Sequence, residues 1–429
     1  MSRRIAIVGA GFAGLAAGVE LARQGIAVDI FEASRTLGGR ARKVDGDELV
    51  LDNGVHILSG AYRETLRLMH LVGAPRTGLL RLPLALEFPG EFRLQAPRLP
   101  APLHLASALL TARGLAWSDK AAAVAFMRRM RQARFRLDSD TTVSTLLASQ
   151  PEAARRFLWE PLCLAALNTL PERASAQVFL NVLRDSLAAK RAASDLLLPT
   201  IDLSSLLPIP AARYIETHGG RVELGRRVTR IQRTPTGFAI DEQGAYAQAV
   251  LAVAPQHLPA LIGEFPELAA LTRQVGSFVW EPIVTCYLAY PETVRLPQPM
   301  LAVLRGTAQW LFDRGQTHGQ AGLIAAVISA SRRQQDTAAE DLAREIDAEV
   351  RAVVPSLPTP RWQRIITERR ATFACTPNLS RPQTPTAVPG LHLAGDYIAG
   401  DYPATIEGAV RSGTFAAQSV IDQFASDQV

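Results

Sequence analysis

A glycine-rich turn between a hydrophobic strand and a helix constrains the fold of this chain more than any other feature. Residues 4–8, RIAIV, are typical of a buried strand, and residues 9–14, GAGFAG, match the pattern G-x-G-x-x-G. A helix to about residue 24 and a second strand over residues 27–31 follow. This order predicts a βαβ unit that opens a Rossmann-type α/β domain with a parallel sheet.

The same turn predicts a dinucleotide site. The first glycine makes the turn, the second lets backbone approach a pyrophosphate, and the third lets the helix pack closely on the strand. The helix N-terminus adds unpaired N–H groups and a positive dipole. Glu32, at the end of the second strand, can accept both ribose hydroxyls and would repel a 2′-phosphate. A purely structural glycine turn is the alternative, and the strand, helix and Glu32 together disfavour it.

A second clamp follows at Gly38-Gly39-Arg40, where a guanidinium fork can match phosphate oxygens. The two glycine turns and Glu32 resemble the opening of the flavoprotein superfamily that contains amine oxidases, protoporphyrinogen oxidase and carotenoid desaturases. Residues 219–254, 393–396 and 405–409 resemble later segments of the same superfamily. The resemblance implies FAD as the cofactor, with the Val228 backbone at adenine and Asp396 near the pyrophosphate. It also implies a closing helix that faces the flavin ring.

The residues that the resemblance assigns to FAD lie in the two glycine turns, around Glu32, and in segments far along the chain. They are Gly9, Gly11, Phe12, Ala13, Gly14, Glu32, Ala33, Gly39, Arg40, Asn53, Gly54, Val228, Gly395, Asp396 and Ile406.

A further segment separates the branches of the superfamily. Residues 51–56, LDNGVH, with 60–62 and 71–74, resemble the carotenoid desaturase branch. Amine oxidases usually place a lysine near the flavin, and this chain has no lysine after Lys190. Residues 159–162, WEPL, and 165–169, AALNT, are most similar to the squalene-associated desaturase-like group, whose members act as hydroxysqualene dehydroxylases.

That resemblance implies hydride transfer from reduced FAD to a long-chain isoprenoid alcohol, in squalene and hopanoid synthesis. It also implies an electron donor that reduces FAD again, which no motif in the chain identifies. A carotene desaturase, which moves hydride in the opposite direction, is the alternative within the same fold. A non-enzymatic FAD-binding protein is a third and disfavoured alternative.

His56 is the candidate catalytic side chain, because histidine suits proton transfer near neutral pH. It could protonate the departing hydroxyl or contact flavin, or it could merely hold the turn at Asn53 and Gly54. Glu407 could be no more than a first-turn charge of the closing helix.

The motifs divide the chain into a discontinuous FAD-binding domain and an α+β substrate domain that interrupts it twice. We assign residues 1–75, 211–275 and 361–429 to the first domain, and residues 76–210 and 276–360 to the second. A β-meander is expected over residues 221–253. Residues 76–210 are rich in Leu and Ala and have a helical period, broken by proline clusters.

The composition of the chain limits the classes of molecule that it is expected to bind. The formal net charge is +6, and lysine occurs only at positions 43, 120 and 190, so the cations are mostly arginine. No nucleic-acid-binding motif is present, and the three scattered cysteines indicate neither a metal site nor disulfides. The apolar and arginine-rich segment 99–137 suits peripheral contact with anionic lipid, although a helix with a solvated basic face explains it equally well. We expect a cytoplasmic protein, at most peripheral on the inner membrane face.

Overall fold

The computed structural model describes residues 4–45, 49–303, 306–334, 336–354 and 357–426. Its helices, in chain order, are α1 (Phe12–Arg23), α2 (Arg63–Leu71), α3 (Leu103–Thr111), α4 (Trp117–Gln132), α5 (Val143–Leu146), α6 (Glu152–Ala154), α7 (Glu160–Leu167), α8 (Ala176–Ser186), α9 (Leu203–Leu206), α10 (Pro208–Thr217), α11 (Leu258–Ile262), α12 (Ala269–Gly276), α13 (Arg314–His318), α14 (Ala339–Val353) and α15 (Ile406–Ser426). A π-helical turn occupies Arg155–Trp159, and short 3₁₀ turns occupy Arg191–Ser194, Pro255–His257 and Pro266–Leu268.

The strands, in chain order, are β1 (Ile5–Val8), β2 (Val28–Glu32), β3 (Lys43–Asp45), β4 (Val50–Asp52), β5 (Leu58–Ser59), β6 (Leu79–Leu82), β7 (Ala85–Phe88), β8 (Phe92–Gln95), β9 (Leu196–Pro199), β10 (Arg221–Leu224), β11 (Ile231–Thr234), β12 (Gly237–Ile240), β13 (Gln243–Tyr246), β14 (Gln248–Leu251), β15 (Trp280–Ala289), β16 (Met300–Ala302), β17 (Trp310–Asp313), β18 (Leu323–Ile328), β19 (Trp362–Phe373) and β20 (Leu391–Leu393).

A parallel sheet of five strands, in the order β10-β2-β1-β14-β20, forms the nucleotide-binding half. Its central strand β1 is buried on both faces, because Ile5 and Ile7 pack into one hydrophobic cluster and Ala6 and Val8 into another. Helices α1 and α15 cover the first face. Burial on both faces explains why β1, IAIV, contains apolar residues alone. The predicted Rossmann-type fold is confirmed.

The predicted meander over residues 221–253 is partly wrong. Strand β10 pairs in parallel with β2, and β14 pairs in parallel with β1, so both belong to the central sheet. The antiparallel meander itself consists of β11, β12 and β13. Every side chain of β14 is buried, and a parallel position between two strands is the arrangement that suits such a strand.

A second sheet is built on β15, which lies between β18 and β19 and pairs antiparallel with both. Helix α14 packs on one face through Leu342, Ile346 and Val350. The other face joins a separate hydrophobic cluster that includes Tyr287. Because β19 belongs to this sheet, its pairing favours a later start for the last FAD-binding segment than residue 361. The division into two domains as a whole stays a prediction.

Residues 76–210 contain more than the helices that their composition indicates. Strands β7 and β8 form a hairpin, and β6 and β5 pair with β9. The strand sequences LLRL and ALEF consist largely of good helix formers, so local propensity does not reveal them. Within the described chain, no helix is both long and apolar enough to cross a membrane.

Candidate active site

The first glycine turn connects β1 to α1, and its backbone lies very close both to the segment after β14 and to the start of α1. Gly9 has φ +106°, and a Cβ atom added to it would lie 2.6 Å from the Ala252 carbonyl oxygen. A Cβ atom on Gly14 would lie 2.0 Å from the Gly9 carbonyl oxygen. Only glycine fits at these two positions. Phe12 and Ala13 open α1 and are buried, so the start of the helix is held against the sheet.

The second glycine turn lies directly against the first. Gly39 has φ +64°, and a Cβ atom on it would lie 3.2 Å from the Cα of Gly11. The backbone N–H of Gly38 donates to the carbonyl of Ala10 at 3.0 Å. The two turns therefore present adjoining backbone without side chains at the N-terminus of α1. Such a surface fits a pyrophosphate.

The carboxylate of Glu32 is held in place by backbone at the end of β2. Its oxygens accept from the N–H of Ala10 at 2.7 Å and of Ser34 at 2.8 Å. The Arg226 N–H donates to the Glu32 carbonyl at 2.8 Å, which brings the segment of the buried Val228 to the same strand end. Ala33, between Glu32 and Ser34, is exposed. This arrangement fits the ribose and adenine of a dinucleotide.

Arg40 connects two other predicted site residues, Asn53 and Asp396, which are far apart in sequence. Its guanidinium pairs with Asp396 at 2.5 Å and donates to the Ala371 carbonyl at 2.6 Å. The side-chain amide of Asn53 donates to the Arg40 carbonyl at 3.1 Å and to the Glu368 carboxylate at 3.0 Å. The structure thus gathers Arg40, Asn53 and Asp396 next to the second glycine turn.

Helix α15 begins at Ile406, where the hydroxyl of Thr405 accepts from the N–H of Gly408 at 3.1 Å. Its second residue, Glu407, is fully buried and does more than complement the dipole of its own helix. The carboxylate accepts from the backbone N–H of Thr65 at 2.9 Å and from its hydroxyl at 2.8 Å, and it pairs with Arg411 at 2.7 Å.

Glu407 therefore caps the N-terminus of α2 and ties that helix to the start of α15. The spacing of Glu407 and Arg411 along one helix signals their ion pair, whereas the contact with Thr65, 342 residues away, leaves no signal in the sequence. The Gly395 N–H donates to the hydroxyl of Ser412 at 2.8 Å, so the strand end next to Asp396 is joined to α15 as well.

His56 is oriented by its own turn. Its Nδ1 lies 2.9 Å from the Gly54 carbonyl oxygen, which can only accept, so Nδ1 carries the proton and Nε2 keeps a lone pair. Burial lowers the pKa of His56, which favours the neutral ring. In this state Nε2 accepts a hydrogen bond. The predicted role as a proton donor would require the imidazolium, which burial disfavours.

Thr285, on β15, lies beside Gly54, the residue whose carbonyl orients His56, and its residue type gave no sign of a role in the site. A Cβ atom on Gly54 would lie 3.6 Å from the Thr285 hydroxyl oxygen and 3.9 Å from the ring of His56. The hydroxyl is buried and has no hydrogen-bond partner among the described residues. An unpaired buried hydroxyl is costly and marks a position for a ligand or water. Threonine is common in strands, so its sequence carries no such signal.

The turn that carries Asn53, Gly54 and His56 is anchored to the second sheet by Asp52. Its carboxylate pairs with Arg314 at 3.1 Å and accepts from the Leu203 N–H at 2.9 Å. The hydroxyl of Tyr287 donates to its carbonyl at 3.0 Å. Both side chains of the ion pair are buried, so a salt bridge between the two halves positions the site.

Comparison with known proteins agrees with this geometry. Residues 12–421 match the family described as flavin containing amine oxidoreductase. The chain belongs to that family. As a member of the family it is an FAD-dependent oxidoreductase, which confirms the predicted cofactor and class of enzyme. The contacts of the individual residues with FAD stay predictions.

The family includes curated relatives that match almost end to end. The chain is 31% identical to a hydroxysqualene dehydroxylase of Rhodopseudomonas palustris, over 98% of this chain and 99% of the relative. It is 30% identical to a hydroxysqualene dehydroxylase of Sinorhizobium fredii, over 99% of both chains. It is 26% identical to a zeta-carotene desaturase of Synechocystis, over 97% of both. These likenesses confirm the predicted resemblance to the squalene-associated group.

Solved structures of other oxidoreductases have the same fold. An oxidoreductase from Methanosarcina mazei aligns with a TM-score of 0.74 at 15% identity, over 98% of this chain and 100% of that one. A cyclohexylamine oxidase from Brevibacterium oxydans aligns with a TM-score of 0.70 at 18% identity, over 99% and 100%. At this identity the likeness concerns the fold alone.

Proposed function

We propose that this enzyme removes the hydroxyl group of hydroxysqualene to give squalene, in squalene and hopanoid synthesis. Reduced FAD would supply hydride to the allylic carbinol carbon, the carbon–oxygen bond would break, and the hydroxyl would leave as water with the proton that the reduced flavin loses as it is oxidised. The near full-length likeness to proteins named hydroxysqualene dehydroxylase supports the choice of substrate.

The observation that carries the proposal is the apolar environment of the turn that carries His56, which includes a hydroxyl near Gly54 with no partner in the described chain. Val55 and Ile57, which flank His56, pack against the hydrophobic cluster on the second sheet, together with Ile283 and Tyr287. The unpartnered hydroxyl of Thr285 lies on the same strand. A long hydrocarbon with one hydroxyl group matches this distribution of apolar and polar surface.

The residues near this turn would orient the substrate rather than supply redox chemistry. The Nε2 lone pair of neutral His56 would accept from the substrate hydroxyl, and the Thr285 hydroxyl would donate to its oxygen. A donor at that oxygen stabilises the charge that develops as the carbon–oxygen bond breaks. The surrounding apolar side chains exclude water, so that hydride reaches the carbon before water does.

An anaerobic product analysis tests the proposal. Purified enzyme with chemically reduced FAD is incubated with hydroxysqualene, and deuterium at the transferring position of the flavin is traced to the former carbinol carbon. We expect squalene that carries this deuterium. Absence of squalene, with new conjugated double bonds formed from phytoene by the oxidised enzyme, would instead assign a carotene desaturase, the activity named for the Synechocystis relative.

Peripheral membrane contact is the second part of the proposal, because both substrate and product are insoluble in water. Exposed apolar side chains gather on α3 and α4: Leu103, Leu110, Trp117 and Val124, which we call the apolar patch. Trp117 is 71% exposed, which is unusual for so large an apolar side chain. Lys120 joins the two helices, since its ammonium donates to the Leu110 carbonyl at 2.9 Å and lies 4.8 Å from the Trp117 ring.

Residues beside the apolar patch share a hydrophobic cluster with the turn that carries His56. Leu109 and Leu115, which neighbour the patch in sequence, pack against the same hydrophobic cluster as Val55 and Ile57. This continuity suits a hydrocarbon that passes between a bilayer and the site. Co-sedimentation with phosphatidylcholine vesicles that contain phosphatidylglycerol tests the contact: Trp117→Ser should bind less than wild type at unchanged flavin content. Equal binding would contradict the contact. The cytoplasmic location stays a prediction.

A further inference from the structure

A cleft next to the apolar patch is lined by two arginines, Arg93 and Arg113, and neither belongs to the predicted FAD site. It has a volume of about 410 Å³ and lies between strand β8, helix α3 and the residues that follow α3. Its lining consists of Arg93, Gln95, Ala96, Pro97, Ser107, Thr111 and Arg113. We propose that this cleft binds the phosphate group of an anionic phospholipid and so fixes the orientation of the enzyme on a bilayer.

The two arginines of the cleft are held side by side. Arg93 and Arg113 form an antiparallel bridge, in which the Arg113 N–H donates to the Arg93 carbonyl at 2.9 Å and the Arg93 N–H donates back at 3.2 Å. Residues paired in this way have their side chains on the same face, about 5 Å apart at Cβ. Gly114 keeps the bridge close, because a Cβ atom on it would lie 2.2 Å from the Glu91 carbonyl oxygen.

Like charges directly opposite one another destabilise a strand pair, and among the described residues these two arginines have one carboxylate partner between them, on the side of Arg93. Glu87, opposite Arg93 on β7, forms an ion pair with it at 3.7 Å, and Arg93 also donates to the Gln95 side-chain oxygen at 3.2 Å. No carboxylate pairs with Arg113 among the residues that the structure describes. A bound anion between the two guanidinium groups would relieve the repulsion and accept hydrogen bonds from both forks.

The remaining lining suits a phosphate that is attached to a lipid. Strand β8 buries Phe92 and Leu94 and turns Arg93 and Gln95 outward, into the cleft. Helix α3 contributes the hydroxyl residues Ser107 and Thr111. The same helix carries Leu103 and Leu110 of the apolar patch, so a headgroup in the cleft would leave its acyl chains next to exposed leucines. A free phosphate would need no such neighbour.

The test compares vesicle binding by matched variants. The cleft variant combines Arg93→Gln with Arg113→Gln. The control variant combines Arg128→Gln with Arg131→Gln on α4, where both arginines are exposed and lie outside the cleft lining. Both variants lose the same net charge. Partition into phosphatidylcholine vesicles with and without phosphatidylglycerol is measured by co-sedimentation, and flavin content confirms the fold.

We expect the cleft variant to bind the anionic vesicles roughly tenfold more weakly than the control variant, because it loses two charge-assisted phosphate contacts as well as net charge. The variant that combines Arg93→Lys with Arg113→Lys should recover part of the loss, since it restores charge without the planar fork. An equal loss in the cleft and control variants would overturn the proposal and leave only non-specific attraction.

A second arm separates the two sources of phosphate. Inorganic phosphate is titrated into each protein without vesicles, at constant ionic strength. Binding of inorganic phosphate by wild type alone, with vesicle binding equal in wild type and cleft variant, would reassign the cleft to a soluble phosphate and overturn the lipid assignment. The inference rests on the proposed membrane contact and not on the reaction. Because the assay requires no turnover, its failure would leave the dehydroxylation unaffected, and product analysis would leave the cleft unaffected.

Discussion

Removal of Arg314 is the sharpest test of how the active-site turn is held. Arg314 and Asp52 are 2% and 3% exposed, and their side chains form one ion pair at 3.1 Å. Arg314→Met keeps an apolar stem of similar length and leaves the Asp52 carboxylate buried without its charged partner. Leaving one member of such a pair unpaired costs about 3–5 kcal/mol. We expect the free energy of unfolding to fall by that amount.

The double variant Asp52→Asn with Arg314→Met is the matched control. It contains no buried charge at this position, and the oxygen of the asparagine amide can still accept from the Leu203 N–H. A neutral replacement of a buried ion pair is often well tolerated. The free energy of unfolding of the double variant should therefore exceed that of the single variant by about 2 kcal/mol or more. Urea unfolding of the FAD-loaded proteins, followed by circular dichroism and flavin fluorescence, gives the order. A double variant as unstable as the single one would refute the reasoning.

The loss of unfolding free energy in the single variant, relative to wild type, should depend on pH; we call this loss the deficit. Burial raises the pKa of Asp52, and Arg314, which opposes that rise, is absent from the variant. A carboxyl whose pKa is raised in the folded state favours folding when protonated, so the deficit should shrink as pH falls through that pKa. His318, 3.9 Å from Asp52, acts in the same direction. Burial and then Arg314 lower its pKa to about 3, so loss of Arg314 makes its protonation easier. A deficit independent of pH would contradict this account.

Further predictions concern the cofactor and the substrate. Glu32→Ala should lower FAD occupancy of the purified protein, read from its absorbance, because the ribose would lose its acceptor; full occupancy would place the ribose elsewhere. Gly413→Val should lower the melting temperature, since a Cβ atom there would lie 2.1 Å from the Ala13 carbonyl oxygen; an unchanged value would show that α1 and α15 can separate at no cost. Thr285→Val should lower kcat more than FAD content, and Thr285→Ser should restore turnover; equal rates would make the hydroxyl structural. The kcat/KM of wild type should stay constant as pH falls to the ordinary pKa of histidine and should decrease only at lower pH, because burial lowers the pKa of His56 and its neutral ring accepts from the substrate hydroxyl. A decrease of kcat/KM as pH rises through the ordinary pKa of histidine would instead indicate the imidazolium as proton donor.

Sequence by itself determined the nucleotide-binding half of this protein. The glycines at 9, 14 and 39 are local requirements of close backbone approaches, and the apolar residues of β1 follow from burial between two strands. Glu32 ends the second strand, beside the first glycine turn. Such local requirements restrict the residue types within a short segment and can therefore be recognised in the sequence. For that reason the Rossmann-type sheet and a dinucleotide site could be predicted from the residue types and their spacing, and the resemblance to the flavoprotein superfamily added FAD and the class of enzyme.

Only the tertiary structure decided how distant segments meet. Pairing of β19 with β15, burial of Glu407 against the start of α2, and the Asp52–Arg314 ion pair each join residues separated by many elements. The residue types at these positions are ordinary ones, and their roles come from neighbours that the fold supplies. The same holds for the Thr285 hydroxyl and for the cleft between Arg93 and Arg113. A threonine in a strand and an exposed arginine become informative only once partners, or the lack of them in the described chain, are seen in three dimensions.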